Sequence, residues 1–269
     1  MTVVIPAWDL GRELVDCVAS VVEQAFVSRI VVIDNASERE LPLTPGERVR
    51  LSSRVSVGVA RNEGLARVDS EYVCFMDGDD VLLPGSFSHL FGILDAHRAL
   101  GAAAGSILLW DPETDRRIPS YYPPRLAYGL SRNPTLFGIA NVAVNLYPSV
   151  GATLIKTEAA RLAGGFPDSD FLETWAFGIS LALSAPVALS RRYCKLYRVS
   201  DEASLKNRGW GNWRASWTGR RELRHRARRH FGRAWGGALL TAAVLPAHLV
   251  EAIAETWTSA PRYTKMFRE

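Results

Sequence analysis

Apolar positions fall along this chain in short runs, separated by stretches with helical spacing. Val3-Val4-Ile5-Pro6 predicts a first strand, closed by a proline that cannot continue a central ladder. Leu14, Cys17, Val18, Val21 and Val22 then recur at the spacing of an amphipathic helix. Ile30-Val31-Val32-Ile33 predicts a second strand, ending in the polar residues Asp34-Asn35-Ala36-Ser37. The segment from Ser56 to Ala66 predicts a loop entering a helix, and Tyr72-Val73-Cys74-Phe75 a third, buried strand. Strand, helix, strand, helix, strand within about 80 residues predicts an α/β domain with a mainly parallel sheet flanked by helices. Farther on, Ala103 to Trp110 reads as a strand, and Tyr121 through Asn145 as loop and short helix. Gly151 to Ile155 and Thr157 to Ala163 read as a further strand and helix. Trp175, Ile179 and Leu183 share one face of a last helix, where they are expected to pack inward.

The third strand stops abruptly in Asp77-Gly78-Asp79-Asp80. The carboxyl edge of an open sheet is where α/β proteins bind ligands. Carboxylates that close together repel one another unless a cation lies among them. Oxygen-only ligands suit a hard divalent ion, Mg²⁺ or Mn²⁺, whose natural companion is a phosphate group. The plainer alternative is a solvated turn with Gly78 at positive φ. Asp34 ends the neighbouring strand and Arg61 lies on the intervening helical segment, so acidic residues and an arginine would converge on one edge as a nucleotide pocket.

Those segments, taken in order, carry a family resemblance. Val3-Val4-Ile5-Pro6-Ala7, Ile30 to Ser37, Gly58-Val59-Ala60-Arg61-Asn62-Glu63-Gly64 and Phe75-Met76-Asp77-Gly78-Asp79-Asp80 resemble successive signatures of family 2 glycosyltransferases of the GT-A fold. Leu83-Pro84-Gly85 and Gly164-Gly165-Phe166 extend the match, which covers roughly residues 1 to 200 and is strongest in the first 90. The resemblance implies a nucleoside-diphosphate sugar donor, a divalent metal (Mn²⁺ or Mg²⁺) at an Asp-X-Asp motif, and inversion at the anomeric carbon. Carried over by position, it makes Asp77 and Asp79 the metal pair, with Asp80 capping the next helix or orienting the loop. Asp34 would contact the nucleoside, or be a satisfied turn aspartate. Arg61 would contact the diphosphate or base, its planar fork and fixed charge suiting that task, or be a surface salt-bridge residue. Pro6 and Ala7 would offer main-chain contacts to the base. By the same resemblance residues 1–100 form the donor-binding part of the domain and 101–205 its acceptor-binding part.

Two positions depart from the family pattern. An inverting transferase needs a base to take the proton of the attacking hydroxyl. Relatives supply it as the aspartate of a Glu-Asp pair at a helix start, whereas this chain reads Asp168-Ser169-Asp170-Phe171-Leu172-Glu173-Thr174 and places threonine there. Glu173 and Asp170 are the replacement candidates, unless both serve only as helix-start carboxylates complementing the macrodipole. Ser200, in Tyr197-Arg198-Val199-Ser200, stands near the place of a histidine in relatives. Trp110, Tyr121, Tyr122, Tyr128 and Trp175 offer rings that either stack on a sugar or lipid acceptor or fill the core.

Composition changes the picture at the C-terminal end. With 269 residues and 48% hydrophobic content, the chain can bury a substantial core. Cys17, Cys74 and Cys194 are odd in number and sit on apolar elements, as reduced core thiols. No basic leader or cleavable apolar segment precedes the first strand, so a cytoplasmic location is expected. The whole chain carries +4, yet the stretch from Lys206 to Arg233 alone holds ten Lys or Arg against the single acid Glu222. Trp210, Trp213, Trp217 and Trp235 are interleaved with them, and Ala234 to Val250 carries no formal charge. Residues 206–269 therefore read as a basic, Trp-rich helical extension. It would attach to an anionic membrane surface, such as the inner face of the plasma membrane, or pack on the catalytic domain with its arginines solvated. No nucleic-acid-binding signature accompanies the basic stretch, and nucleic acid is not an expected partner.

The expected protein is a metal-dependent, inverting sugar transferase acting on a glycan, lipid-linked or small-molecule acceptor. The alternatives are a catalytically impaired GT-A protein that binds nucleotide sugars or a partner, and a membrane-surface adaptor.

Overall fold

A computed structural model describes residues 1–199, apart from 121–124, 132, 144–145, 147–148 and 171. The expected extension 206–269, Tyr121, Tyr122, Asn145 and Ser200 lie outside the described residues. The first half of the chain runs β1 (Thr2–Ala7), α1 (Arg12–Val22), β2 (Arg29–Asp34), β3 (Glu47–Arg50), α2 (Val57–Leu65), β4 (Tyr72–Phe75), β5 (Val81–Leu82) and α3 (Ser86–Ala96). The second half runs β6 (Ala102–Asp111), β7 (Arg116–Pro119), α4 (Arg125–Leu130), α5 (Pro134–Ala143), a 3-10 turn (Val150–Ala152), β8 (Thr153–Lys156), α6 (Thr157–Leu162), α7 (Glu173–Ser184) and β9 (Val187–Arg198).

One mixed sheet joins the two halves in the order β3-β2-β1-β4-β8-β6-β9-β5, with β7 paired to β6. β1 pairs in parallel with β2 on one edge and β4 on the other. All of β1 is buried. Val3, Ile5 and Ala7 face one core cluster and Val4 the other, as strand alternation requires when both sheet faces are covered.

Pro6 does not close β1. It pairs with Ile33 inside the ladder, and the strand runs on to Ala7. The reason is geometric. Val4 O accepts the Met76 N–H, so Val4 and, two residues later, Pro6 direct their polar groups toward β4. The β1–β4 pairing ends at Val4–Phe75, so the missing amide of Pro6 faces a position where no ladder bond is required.

Helix α1 buries Leu14, Cys17, Val18 and Val21, the expected stripe, while Val22 is half exposed at the helix end. Fully burying each of the larger aliphatic side chains stabilises the fold by about 1.5–3 kcal/mol. Helix α7 departs further from an amphipathic pattern. Trp175 through Ala182 are all buried, because the helix is packed among α2, α5 and α6. Phe177 there stacks on Phe166 with ring centroids 4.3 Å apart. The three cysteines are free and buried. Among the described residues, no helix is long and apolar enough to cross a membrane.

The last strand brings distant residues under the acidic turn. β9 lies parallel to β6, with a register irregularity around Ser106, and then pairs antiparallel with β5. Val81 and Leu82, just after Asp80, are held opposite Leu196 and Lys195.

Candidate active site

The strand order reverses at β1, since β2 lies to one side and β4 to the other. A crevice opens at such a switch point, outside the carboxyl ends of the strands. Pro6 and Ala7 end β1, Asp34 ends β2, and Asp77 lies two residues beyond the end of β4, so the chain gathers these side chains on one edge.

Arg61 sits at the centre of the floor. It lies on α2, whose N-terminus is capped by Ser56 Oγ accepting the Val59 N–H at 3.3 Å. Its guanidinium is 3% exposed and bridges two carboxylates. Nη2 pairs with Asp77 Oδ1, and Nη1 donates to Glu173 Oε1 at 2.8 Å. Burial opposes the arginine's charge, but Asp77 and Glu173 outweigh it and hold the pKa above its ordinary value. Arg61 is thus a buried bridge between β4 and α7, not a surface salt-bridge residue.

The three aspartates of the turn have different partners. Burial works to raise the Asp77 carboxyl, and the charges of Arg61 and Lys195 overcome it, so its pKa lies below the usual value. Asp80 is fully enclosed. Its Oδ2 pairs with Lys195 Nζ and its Oδ1 accepts the Arg198 N–H at 2.9 Å, which ties the turn to β9. Burial, then Asp79 and Asp77, push Asp80 up against the pull of Lys195, while Lys195 is itself held above its ordinary value by Asp80 and Asp77 despite burial. The two shifts oppose each other. The ion pair prevails on geometry, because Asp80 already accepts a second hydrogen bond from a backbone amide. Asp79 differs: among the described residues its carboxylate makes no ion pair, and burial followed by the Asp77 charge raises its pKa. Its carbonyl accepts from Arg198 Nε at 2.8 Å.

Asp34 is buried at the end of β2, accepting the Ser37 N–H at 2.9 Å and pairing with Arg50 Nη1 at 2.7 Å. Burial would raise its carboxyl; the Ser37 and Arg50 hydrogen bonds bring it below the ordinary value. Just past the end of β1, the Trp8 indole is covered by the Arg54 guanidinium, 3.5 Å from the ring centroid.

The two base candidates stand in unlike settings. Glu173 is the first residue of α7, buried, with one oxygen on Arg61. Asp170 instead accepts the Val57 N–H at 2.8 Å, satisfying a free amide at the start of α2. Its neighbour Asp168 accepts from Ser56 Oγ at 2.7 Å. This loop lies so close to α2 that a Cβ at Gly58 would overlap the Pro167 carbonyl, a contact only glycine allows.

The described rings among those named as acceptor candidates each have a partner within the fold. Trp175 is buried and donates to the Asn141 carbonyl at 2.6 Å, and Tyr128 Oη hydrogen-bonds Ser106 at 2.7 Å. Trp110 lies beneath the Arg198 guanidinium, 4.7 Å away. Lys195 and Arg198 join the site without any motif in the sequence that marks them. The available signal was a lysine set between the apolar residues Cys194 and Leu196 of a strand.

Comparison with known proteins bears on this geometry. A family model described as "Glycosyl transferase family 2" matches residues 2–139 of the 269. No curated protein sequence matches. Among solved structures, S. aureus TarS 1-349 in complex with UDP-GlcNAc superposes with a TM-score of 0.63 at 14% identity, covering 97% of this chain and 81% of that one. The same protein in complex with UDP gives 0.61 at 15% identity, covering 93% and 71%. A longer TarS structure gives 0.60 at 16% identity, covering 92% of this chain and 43% of that one. The likeness establishes a shared GT-A-type fold, and with a family model spanning just over half its length the chain belongs to glycosyl transferase family 2 and is a glycosyltransferase.

Proposed function

We propose that the protein transfers a sugar from a nucleoside-diphosphate donor to an acceptor hydroxyl with inversion, assisted by a divalent ion. The observation that carries this reading is the pairing pattern at the crevice. Asp77 is bridged by Arg61 to Glu173, while the Asp79 carboxylate makes no ion pair among the described residues. A raised, unpaired carboxylate beside a second one is a donor set that a hard cation relieves, so these residues fit Mn²⁺ or Mg²⁺. Asp79 and Asp77 would hold it, and it would supply positive charge to the departing diphosphate.

The chain's own groups account for the remaining steps. Asp34, Pro6 and Ala7 lie where the nucleoside end of a donor would rest. Arg61 fixes Asp77 and Glu173 relative to each other, so the donor and acceptor sides keep one spacing. Glu173 accepts the acceptor's proton on the oxygen that Arg61 does not occupy, as the acceptor oxygen bonds to the anomeric carbon and the bond to the diphosphate breaks with its electron pair. Asp170 is the weaker candidate for this task, because its carboxylate is engaged at the start of α2. In this reading residues 1–100 bind the donor and 101–205 shape the acceptor side.

A solved relative in complex with UDP-GlcNAc makes UDP-sugars the first donors to try. Sugar transfer or slow donor hydrolysis should be measured with and without Mn²⁺ in the parent and in Asp79→Ala. Turnover that requires the ion and is lost in the variant supports the proposal. Nucleotide-sugar binding with no turnover under any condition would favour a binding protein instead.

A further inference from the structure

Lys195 is a charged group of the acidic turn that this chemistry leaves without a task. It lies on β9 opposite Leu82 and is fully enclosed. Its ammonium pairs with Asp80 Oδ2 and stands 3.6 Å from Asp77 Oδ2. The space for it is built into the fold: a Cβ at Gly151 would stand only 3.1 Å from Lys195 Cδ and 3.2 Å from Nζ. Nζ also lies 5.4 Å from the centroid of the Tyr197 ring. Both oxygens of Asp80 are occupied, one by Lys195 and one by the Arg198 amide. Asp77 has Arg61 on one oxygen and Lys195 facing the other. In keeping with this, among the described residues no three His, Cys, Asp or Glu side chains converge to hold a metal ion.

The geometry points to Lys195 as a positioning residue that acts as a resident cation of the acidic turn: it keeps Asp80 out of metal coordination and competes for Asp77, so a divalent ion binds the protein weakly until a nucleoside diphosphate supplies the missing oxygens. This rests on the metal-assisted reading above. A small hard cation demands about six oxygen ligands, and Asp79 with a shared Asp77 cannot provide them. A fixed ammonium beside the ion adds like-charge repulsion, which the negative diphosphate offsets.

The test is Mn²⁺ binding, followed by the electron paramagnetic resonance of the free ion, in the parent and in Lys195→Met, with and without UDP or GDP. The parent should bind Mn²⁺ about tenfold or more tightly with nucleotide than without it, and Lys195→Met should bind Mn²⁺ alone about tenfold more tightly than the parent. A lysine with a merely structural role would leave the affinity of the variant unchanged or reduced, and either result overturns the inference. If Lys195→Met does not fold, Lys195→Gln, which keeps a hydrogen-bond donor but removes the charge, is read against the same parent values. Mn²⁺ bound equally tightly with and without nucleotide overturns the inference while the metal reading stands, and no Mn²⁺ uptake in either state overturns both.

Discussion

Replacing Arg61 with methionine should destabilise the protein in a pH-dependent way. The substitution keeps most of the side-chain volume but removes the buried cation between Asp77, whose side chain is 27% exposed, and Glu173, at 10%. Breaking a buried ion pair from one side costs about 3–5 kcal/mol, because a charge is left in a poorly solvated place. Lys195, 3.6 Å from Asp77, offsets part of the loss on that side, and Glu173 has no second cation among the described ion pairs. In the parent, the Asp77 pKa is depressed, so its contribution is present above the ordinary carboxylate range and is lost as pH falls through the folded value. In the variant, burial remains while the main compensating charge is gone, so the folded pKa rises and protonation becomes favourable. The stability gap should therefore be widest near pH 7–8 and narrow as the pH is lowered toward about 5. With an m-value of about 2–3 kcal/mol/M, urea unfolding at pH 7.5 should show a midpoint lowered by about 1–2 M. A gap under about 1 kcal/mol, or one of equal size at both pH values, would refute the reasoning.

Other outcomes follow from the same geometry. Glu173→Gln should lower kcat by about 10²–10⁴-fold with donor affinity retained, since the amide cannot take a proton; unchanged steady-state kcat would remove Glu173 from the base role. Asp170→Ala should cost about 1 kcal/mol of stability by freeing the Val57 amide, with kcat nearly intact; a kcat collapse without loss of stability would make Asp170 the base. Removal of residues 206–269 should abolish flotation with anionic liposomes if the basic, tryptophan-rich stretch attaches to membranes, and unchanged flotation would reject that attachment.

The parts of the fold carried by local pattern were legible in the sequence. The apolar runs at Val3, Ile30 and Tyr72 are strands, and the helix between the first two buries the stripe that its spacing marked. Misreadings arose where long-range context overrides a local rule. Pro6 is tolerated inside β1 only because β4 has stopped pairing at that level, which no residue near Pro6 announces. Trp175 packs inward as its helical face predicts, and the enclosure of α7 by α5 and α6 decides between the two roles its ring could take. The same limit governs the site. Its acidic turn is visible as a motif, but the cations that neutralise it come from elsewhere. Lys195 is 115 residues from Asp80, and Arg61 is 112 from Glu173. The sequence offers Asp170 as a base candidate or a helix-start carboxylate complementing the macrodipole, and it is bonded to the start of α2, 113 residues away.

Metal-assisted grip on the donor diphosphate is the claim from which the rest of the mechanism descends, and calorimetric titration of UDP and GDP into the parent and Asp79→Ala, with and without Mn²⁺, tests it most directly. Tight nucleotide uptake is expected in the parent only when Mn²⁺ is present, with loss of that gain in the variant, while both proteins unfold at similar temperatures. Nucleotide affinity that is indifferent to Mn²⁺, or that survives intact in Asp79→Ala, would contradict it.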